Sequence, residues 1–314
     1  KTKEEAISSG DRVLINTSVL KGSINLKGAI LDDLTLLNYK ETLDKNSKNI
    51  SLLLPDETAN PYYVELGWKT LSNNSSQVNL PDLNTQWKST SSSLEPNSPV
   101  TLFWTNKENI TFKIIFSIDE NYLFTVSQEI KNDSSSYIEI YPYRLIKRIN
   151  LPDTINFFIL HEGLISLLNN ELLEKKYTHL SDDCSSTNES KSLFCNQKSI
   201  GGWLGFTDKY WMTVLIPEQN ETINANYRHN NNGRDNFRAG YVGQVFTIQP
   251  NATHTYKGKI FAGAKVLKIL NKYQKEQNID RFDDAIDWGW FSFLTKPIFI
   301  AINWFYGHVG NFGI

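Results

Sequence analysis

The sequence predicts an all-β sandwich over residues 11–262 that ends in amphipathic helical segments. Alternating apolar residues recur from Arg12 to about Phe261, and clusters of Gly, Pro, Asn and Asp separate the runs. The apolar runs do not alternate with segments of helical periodicity, which disfavours a parallel α/β sheet. A closed barrel is the alternative arrangement of the same strands.

The composition excludes several classes of function. The 314 residues include 32 Lys plus Arg and 34 Asp plus Glu, giving a formal net charge of -2. This balance, without a basic stripe, argues against a nucleic-acid binder. The one Arg- and Asn-rich stretch, residues 226–238, is interpreted as a solvated loop. Nucleotide loops, serine-hydrolase elbows and zinc-protease motifs do not occur, so we expect no metal and no cofactor.

Up to about Phe261 the pattern predicts a short tail followed by strands joined by turns and loops. Residues 1–10 are expected to form a flexible tail. Apolar residues alternate from Phe112 to Ile118 and again from Tyr122 to Val126, on either side of a polar turn, which predicts a hairpin. The polar stretches 71–99 and 181–198 are interpreted as surface loops.

The second polar stretch contains both cysteines of the chain, Cys184 and Cys195. In an oxidising compartment they could close a disulfide, and two unpaired surface thiols are the alternative. They do not predict a zinc site, because His179 is the only nearby residue that could join the four ligands required.

A glycine pair, Gly201 and Gly202, precedes Trp203 and admits two interpretations. The structural one is a positive φ angle or a close backbone approach, with Trp203 filling the sandwich core. A role in binding a partner is the alternative.

The periodicity changes after the last strand. Over residues 263–280, Val266, Leu267, Leu270 and Tyr273 recur at helical spacing with lysines between them, which predicts an amphipathic helix packed on the sandwich.

The last segment, residues 281–314, is unusually aromatic. We predict a helix from Asp280 to Tyr306 that lies in a membrane interface, because Trp and Tyr favour the headgroup region and Pro297 disfavours a continuous span. An aromatic helix tucked against the sandwich is the alternative. The predicted membrane-interface residues are Trp288, Trp290, Phe291, Phe293, Lys296, Trp304, Phe305 and Tyr306.

Several motifs together resemble the YidC membrane insertase family. The most specific are residues 282–291 (FDDAIDWGWF) and 306–313 (YGHVGNFG). Shorter matches lie upstream and support the resemblance by their order along the chain. They are residues 26–30, 161–165, 201–205 and 261–265, the last including Gly263. The resemblance therefore spans nearly the whole chain.

The resemblance implies a β-supersandwich, similar in shape to sugar mutarotases, on the periplasmic side of a bacterial inner membrane. It further implies a membrane anchor before Lys1 and a membrane core after Ile314. The implied function is non-enzymatic: assisting the insertion and folding of inner-membrane proteins. The implied partners are the bilayer surface, nascent inner-membrane proteins and subunits of the Sec translocon.

A periplasmic carbohydrate-binding or mutarotase-like protein is the alternative function. Sugar isomerisation needs a general acid and a general base, and His161 with Glu162 is the candidate pair. Successive strand residues point to opposite faces, so these two side chains are not expected to converge on one substrate.

Overall fold

A computed structural model describes residues 1–71, 78–152, 161–185 and 193–287, together with 297–298 and 301–302. Two β-sheets packed face to face form the body. The helices are α1 (Lys3–Ile7), α2 (Tyr177–Asp183) and α3 (Leu267–Glu276), with short 3-10 turns at Leu193–Cys195 and Phe282–Ala285. The strands are β1 (Arg12–Asn16), β2 (Leu20–Asn25), β3 (Ile30–Lys40), β4 (Asn49–Leu53), β5 (Tyr62–Thr70), β6 (Lys88–Ser89), β7 (Ser93–Leu94), β8 (Val100–Thr105), β9 (Ile110–Ile118), β10 (Leu123–Asn132), β11 (Ile138–Ile149), β12 (Gly163–Leu168), β13 (Glu171–Lys176), β14 (Asn196–Ile200), β15 (Trp203–Thr207), β16 (Trp211–Pro217), β17 (Thr222–Asn231), β18 (Asp235–Val242), β19 (Phe246–Ile248) and β20 (Ala252–Ala264).

The predicted all-β sandwich is confirmed. The larger sheet has the order β14-β17-β18-β11-β5-β3-β2-β1-β7, with β19 beside β11 and β4 beside β3. The second sheet has the order β13-β12-β15-β16-β20-β10-β9-β8-β6. The predicted hairpin is β9 and β10, which pair antiparallel with Phe124 opposite Ile118.

The core follows from the alternation of side chains along each strand. In β9 every second residue is buried, and Phe112 and Phe116 are fully enclosed. In β12 and β15, however, every residue is buried. Strands buried at every position have both faces covered, which here requires cover from outside the two-sheet interface.

A polar chain of hydrogen bonds joins the two sheets through the buried side chain of Arg144 on β11. Its Nε donates to Gln128 Oε1 at 2.9 Å, and an Nη donates to the carbonyl of Val126 at 3.0 Å, both on β10. Gln128 in turn donates to the carbonyl of Gly67 on β5 at 2.8 Å. Because buried polar groups must find partners, these bonds fix how the sheets align.

Two of the predicted loops are wrong. Residues 226–238 are not a solvated loop, because β17 and β18 form an antiparallel hairpin there. Their buried faces carry Tyr227 and Phe237, whereas the opposite faces are polar and hide the alternation. The stretch 71–99 contains β6 and β7, and within it Trp87 and Leu94 are buried in the core.

The amino-terminal ten residues also differ from the expected flexible tail. Residues 3–7 form α1, which begins with a capping box between Thr2 and Glu5. Lys3 Nζ lies 2.7 Å from Asp33 Oδ1, a carboxylate that is 93% buried at its side chain. The helix is therefore attached to β3.

The stretch 181–198 is anchored by its cysteines. Cys184 follows α2 and Cys195 ends a 3-10 turn, and both are completely buried. Their sulfur atoms are bonded to each other, with the Cα atoms 5.6 Å apart. The alternative of two surface thiols does not fit this burial.

The chain does not continue as one helix from Asp280. Helix α3 ends at Glu276, and Arg281 adopts a left-handed conformation with φ 47°. A single 3-10 turn follows, and Ile286 is extended with φ -84° and ψ 123°. The left-handed and extended residues interrupt the hydrogen bonding that a continuous helix needs.

Candidate functional site at the C-terminal junction

Residues 279–287 pack against the end of the second sheet, and we refer to this contact as the C-terminal junction. Phe282 is fully buried, and its ring meets those of Trp203 and Phe261 edge to face at 5.6 and 5.4 Å. Ile279 and Ala285 are buried on either side of it. Each aromatic pair contributes about 0.5–1.5 kcal/mol beyond the burial of its area. These residues supply outer cover for Trp203 at the start of β15 and for Phe261 on β20.

The glycine pair determines how β15 enters the junction. Gly201 and Gly202 have φ angles of 61° and 85°, a region that only glycine occupies without strain. A Cβ atom on Gly202 would lie 2.1 Å from the carbonyl oxygen of Leu167, so β15 approaches β12 more closely than any other residue would allow. Trp203 follows immediately, in a fixed orientation.

Trp203 lies under the C-terminal segment rather than between the two sheets. Its indole Nε1 donates to the carbonyl of Asp280 at 3.0 Å. Phe206, three positions along β15 and on the other face, stacks on Tyr177, whose ring contacts Phe237 of the larger sheet. Trp203 is therefore fully buried in the core, on the side that the C-terminal segment covers.

Gly263 makes room for an aromatic ring next to α3. A Cβ atom there would lie 2.2 Å from the ring of Tyr122. The backbone N–H of Tyr122 donates to the hydroxyl of Tyr273 on α3 at 3.2 Å. Gly263 thus lets α3 and the turn between β9 and β10 pack closely together.

A half-buried lysine lies at the centre of the polar part of the junction. Lys265 directly follows β20, and its Nζ donates to Thr207 Oγ1 at 2.9 Å. Burial lowers the pKa of Lys265 to about 8, and the surrounding carboxylates oppose this shift. These carboxylates belong to Asp208, Asp287, Glu174 and Glu162.

Asp287 fastens the end of the C-terminal segment to the start of β12. Its Oδ2 accepts the backbone N–H of His161 at 3.0 Å. Burial raises the pKa of Glu174 on β13, and the negative charge of Asp287 raises it further. The Asp287 carboxylate is held by the His161 backbone N–H, and the nearby ammonium of Lys265 offsets its repulsion of Glu174.

A buried ion pair completes this end of the sandwich. Arg148 on β11 donates to Asp208 Oδ1 at 2.7 Å and to the hydroxyl of Tyr177 at 3.0 Å. Its guanidinium also lies 4.5 Å from the ring centroid of Tyr62. Asp208 follows β15 in the second sheet, so the pair links both sheets next to Lys265.

The Nε2 atom of His161 is occupied by a hydrogen bond within the protein. Nε2 lies 2.7 Å from the carbonyl oxygen of Leu164, so it carries a proton and donates it to the protein itself. Burial lowers the pKa of His161 as well, which favours the neutral ring. Among the described residues, no group of three His, Cys, Asp or Glu side chains is arranged to hold a metal ion.

The predicted membrane-interface residues lie outside the described residues. They are Trp288, Trp290, Phe291, Phe293, Lys296, Trp304, Phe305 and Tyr306. The described residues within this segment, 297–298 and 301–302, are helical. Ile298 and Ile302 expose 48% and 45% of their surface there. In the part of the chain that the structure describes, no helix has the length and apolarity to cross a membrane.

Sequence reasoning missed the polar residues of the junction. Lys265 shares the spacing of the α3 lysines, which hid it among the solvated positions of a helix. Arg148 and Asp208 are 60 residues apart, and nothing local marks them as partners. The sequence signal that was available is the FAGAK motif itself, in which Lys265 directly follows a run of small and apolar strand residues.

Comparison with protein-family models matches residues 12–301 to the YidC periplasmic domain. Curated relatives include the membrane protein insertase YidC of Methylorubrum extorquens, 39% identical over 315 residues that cover 100% of this chain. The membrane protein insertase YidC of Rickettsia conorii is also 39% identical and covers 98%. The chain spans 50% and 53% of these two relatives, about half their length.

Among solved structures, a galactose mutarotase related enzyme from Lactobacillus acidophilus matches with a TM-score of 0.50. The alignment covers 80% of this chain and 97% of that protein, at 8% sequence identity. At this identity the likeness concerns the fold alone.

Proposed function

Since this chain belongs to the YidC periplasmic domain family, we propose that it serves a membrane protein insertase, on the periplasmic side of a bacterial inner membrane. The observation that carries the proposal is the match over residues 12–301, supported by relatives named as insertases that align with nearly the whole chain. Its clients would be nascent inner-membrane proteins. Translocon subunits and lipid headgroups are the further partners that we propose.

The work of this domain in the proposed function is positional. The C-terminal junction buries Phe282 under Trp203 and ties Asp287 to the backbone of His161. Asp287 is thereby held at an edge of the sandwich. A segment so held would meet the bilayer at a fixed point, with the Trp and Tyr residues of 288–306 in the interface.

A flotation experiment tests the membrane contact. The chain ending at Ile314 should float with vesicles of phosphatidylethanolamine and phosphatidylglycerol, whereas a chain ending at Asp287 should stay at the bottom of the gradient. The truncation leaves the buried junction intact, so it removes only the aromatic segment. Equal flotation of both chains would contradict the interfacial role.

An insertion assay tests the function itself. The full-length protein that contains this chain, reconstituted into vesicles, should protect a two-span client from protease, compared with vesicles lacking it. Protection no better than in protein-free vesicles would contradict the proposal.

We also propose that the domain does not isomerise sugars, in contrast to proteins of similar fold. The support is local: His161 Nε2 is engaged by a backbone carbonyl, which leaves Nδ1 as the one basic nitrogen of the ring, and burial lowers the pKa of His161 and so weakens it as a base. Polarimetry with common aldoses should show no mutarotation above buffer. Protein-dependent mutarotation that Glu162→Gln abolishes would contradict this.

A further inference from the structure

The larger sheet has a groove on the face that points away from the second sheet. Its volume is about 610 Å³, and it crosses β5, β11, β18, β17 and β14. On β11 its lining residues Tyr143, Leu145 and Lys147 alternate with Arg144, which borders the groove but sends its side chain into the core. We call it the basic groove because lysines and arginines predominate among its charged lining residues.

Three cationic side chains form a row across the basic groove. Arg228 on β17 is directly opposite Arg238 on β18, and Arg238 is directly opposite Lys147 on β11. Side chains that are directly opposite share a face, with their Cβ atoms about 4.5–5.5 Å apart, and like charges in this arrangement repel. A sheet that places three such charges together loses stability unless an anion lies between them.

Carboxylates within the described residues do little to neutralise this row. Arg228 donates to the backbone carbonyls of Cys195 and Tyr227, at 3.2 and 2.7 Å. Arg238 has only an amide oxygen at 3.4 Å. Lys147 lies 4.0 Å from the carboxylate of Asp56, whose side chain is 64% exposed. The two arginines therefore have no ion-pair partner in this part of the chain.

The rest of the groove adds to the positive charge. Lys69 and Lys198 also line it, and Glu65 is the one acidic residue among its described lining residues. The Glu65 carboxylate is occupied, because it accepts the hydroxyl of Tyr143 at 2.6 Å. Six cationic residues line the groove, and only Arg144 is bonded into the core; against them stands one carboxylate, in a chain whose net charge is -2.

The floor next to the row suits an extended backbone. Gly240 on β18 contributes no side chain, and Leu145 lies opposite it on β11. The amides of Asn224 and Gln197 also line the groove. An amide side chain can donate and accept at once, as a peptide backbone requires, whereas a phosphate only accepts.

We propose that the basic groove binds an extended acidic peptide, with its carboxylates on the row of Arg228, Arg238 and Lys147 and its backbone against the amides. The identity of that peptide rests on the proposed function. Segments that cross the inner membrane are poor in Lys and Arg, because positive charge is retained on the cytoplasmic side. Translocated segments of client proteins are therefore poor in the cations that this groove would repel.

A peptide titration tests the proposal. The probe is a fluorescein-labelled decapeptide with four Glu, and its matched control carries Gln at the same four positions. By fluorescence anisotropy with the 314-residue chain, the Glu peptide should bind at least about tenfold more tightly than the Gln peptide, since two or more charge contacts are lost. Equal affinity of the two peptides would overturn the proposal.

Paired variants locate the site. Lys147→Gln with Arg238→Gln removes two groove charges and breaks no bond to the backbone. Lys268→Gln with Lys275→Gln removes two exposed charges from α3, on the other side of the molecule. The groove variant should lose at least about tenfold in affinity for the Glu peptide and the α3 variant less than about twofold. Equal losses would overturn the proposal, because they would mean non-specific attraction. Circular dichroism confirms that both variants fold.

Competition identifies other anions. Phosphatidylglycerol vesicles and oligo(dT) should not displace the bound Glu peptide at matched negative charge. Displacement by either, lost in the groove variant, would overturn the peptide assignment in favour of a lipid surface or a nucleic acid. All these measurements use the isolated chain, so failure of the insertion assay with intact peptide binding would refute the insertase role and leave the groove standing.

Discussion

Lys265 illustrates how one residue can be both costly and useful. Its ammonium is removed from water at the end of β20, and its pKa falls to about 8 because burial outweighs the nearby carboxylates. A buried charge lowers stability unless its partners compensate it. Here the compensating partners include Asp287, which attaches the C-terminal segment to the sandwich. The buried charge of Lys265 therefore lies where that attachment is made.

Lys265→Met gives a pH-dependent prediction. The pKa of Lys265 is about 8 in the folded chain and near its usual value of 10.5 in the unfolded chain. Between these pH values the unfolded chain binds more protons, so the stability of the wild type rises with pH. Relative to the Met variant, the wild type should gain about 2 kcal/mol from pH 7 to pH 10.

Urea unfolding at pH 7, 8, 9 and 10 measures this difference. The many buried tyrosines lower stability above pH 10 in both proteins, and subtraction removes their effect. Lys268→Met, at an exposed position of α3, serves as the control and should show no such trend. A difference between wild type and Lys265→Met that is constant over the range would contradict the prediction.

Gly202 offers a second test at the scale of one residue. Gly202→Ala adds a Cβ 2.1 Å from the carbonyl oxygen of Leu167, at a φ of 85°. Gly233 has a nearly identical φ of 87°, but nothing lies within 4 Å of its Cβ position. Gly233→Ala should therefore cost about 1–2 kcal/mol for conformation alone. Gly202→Ala should cost clearly more, because the backbone of β12 must also move. Equal unfolding free energies of the two variants would contradict the close approach.

At this scale the sequence predicted residue types better than residue partners. The glycine pair before Trp203 was recognisable because only glycine tolerates such backbone geometry. The row of Arg228, Arg238 and Lys147 was not, because it depends on the register within the β17–β18 hairpin and on its pairing with β11, about 90 residues earlier in the chain. Alternation reveals which face a residue occupies, but not which residue of another strand lies opposite it.

Elements with one apolar face were predictable, and those with polar outer faces were not. The spacing of Leu267, Leu270 and Tyr273 indicates a helix, and α3 has these residues on its buried side. The β17–β18 hairpin has the same alternation in Ile223, Ala225, Tyr227 and His229, but asparagines and arginines between them suggest a loop. Those polar residues form the basic groove, so the feature that obscured the strands is the one that carries the proposed binding site.

The disulfide links two short elements at one end of the larger sheet. Cys184 follows the short helix α2, and Cys195 ends the 3-10 turn that leads into β14. A covalent link across this sequence separation of 11 reduces the entropy of the unfolded chain, and stabilises the fold by about 3 kcal/mol. Strand β14 contributes Gln197 and Lys198 to the basic groove, so its order matters there.

Thermal unfolding with and without a reductant tests this link. The oxidised chain should melt at a higher temperature than the reduced chain. The double variant Cys184→Ala with Cys195→Ala should melt like the reduced chain and should not respond to reductant. A reductant-dependent shift that persists in the double variant would assign the effect to something other than the disulfide.

At the scale of the whole molecule, the sandwich and the C-terminal segment are one folding unit. Arg144 and Arg148 bond the two sheets together, and Phe282 extends the core beyond the second sheet. A continuous core transmits strain, because packed interiors compress little. A pull on Asp287 would therefore act on the residues before β12 and, through Phe282, on β15 and β20, rather than on a loose linker.

Two truncations distinguish a shared core from a loose linker. A chain that ends at Gln277 loses Ile279, Phe282 and Ala285, all of them at most 1% exposed, and uncovers Trp203. It should lose at least about 4 kcal/mol of unfolding free energy, since removal of a buried Phe alone costs about 3–5 kcal/mol. A chain that ends at Asp287 keeps these contacts and should unfold in a single transition close to that of the 314-residue chain. Tryptophan fluorescence in urea reports both, because Trp203 lies at the junction. If the two truncated chains unfolded alike, residues 279–287 would be a tether rather than part of the core, and the junction could not hold Asp287 in place.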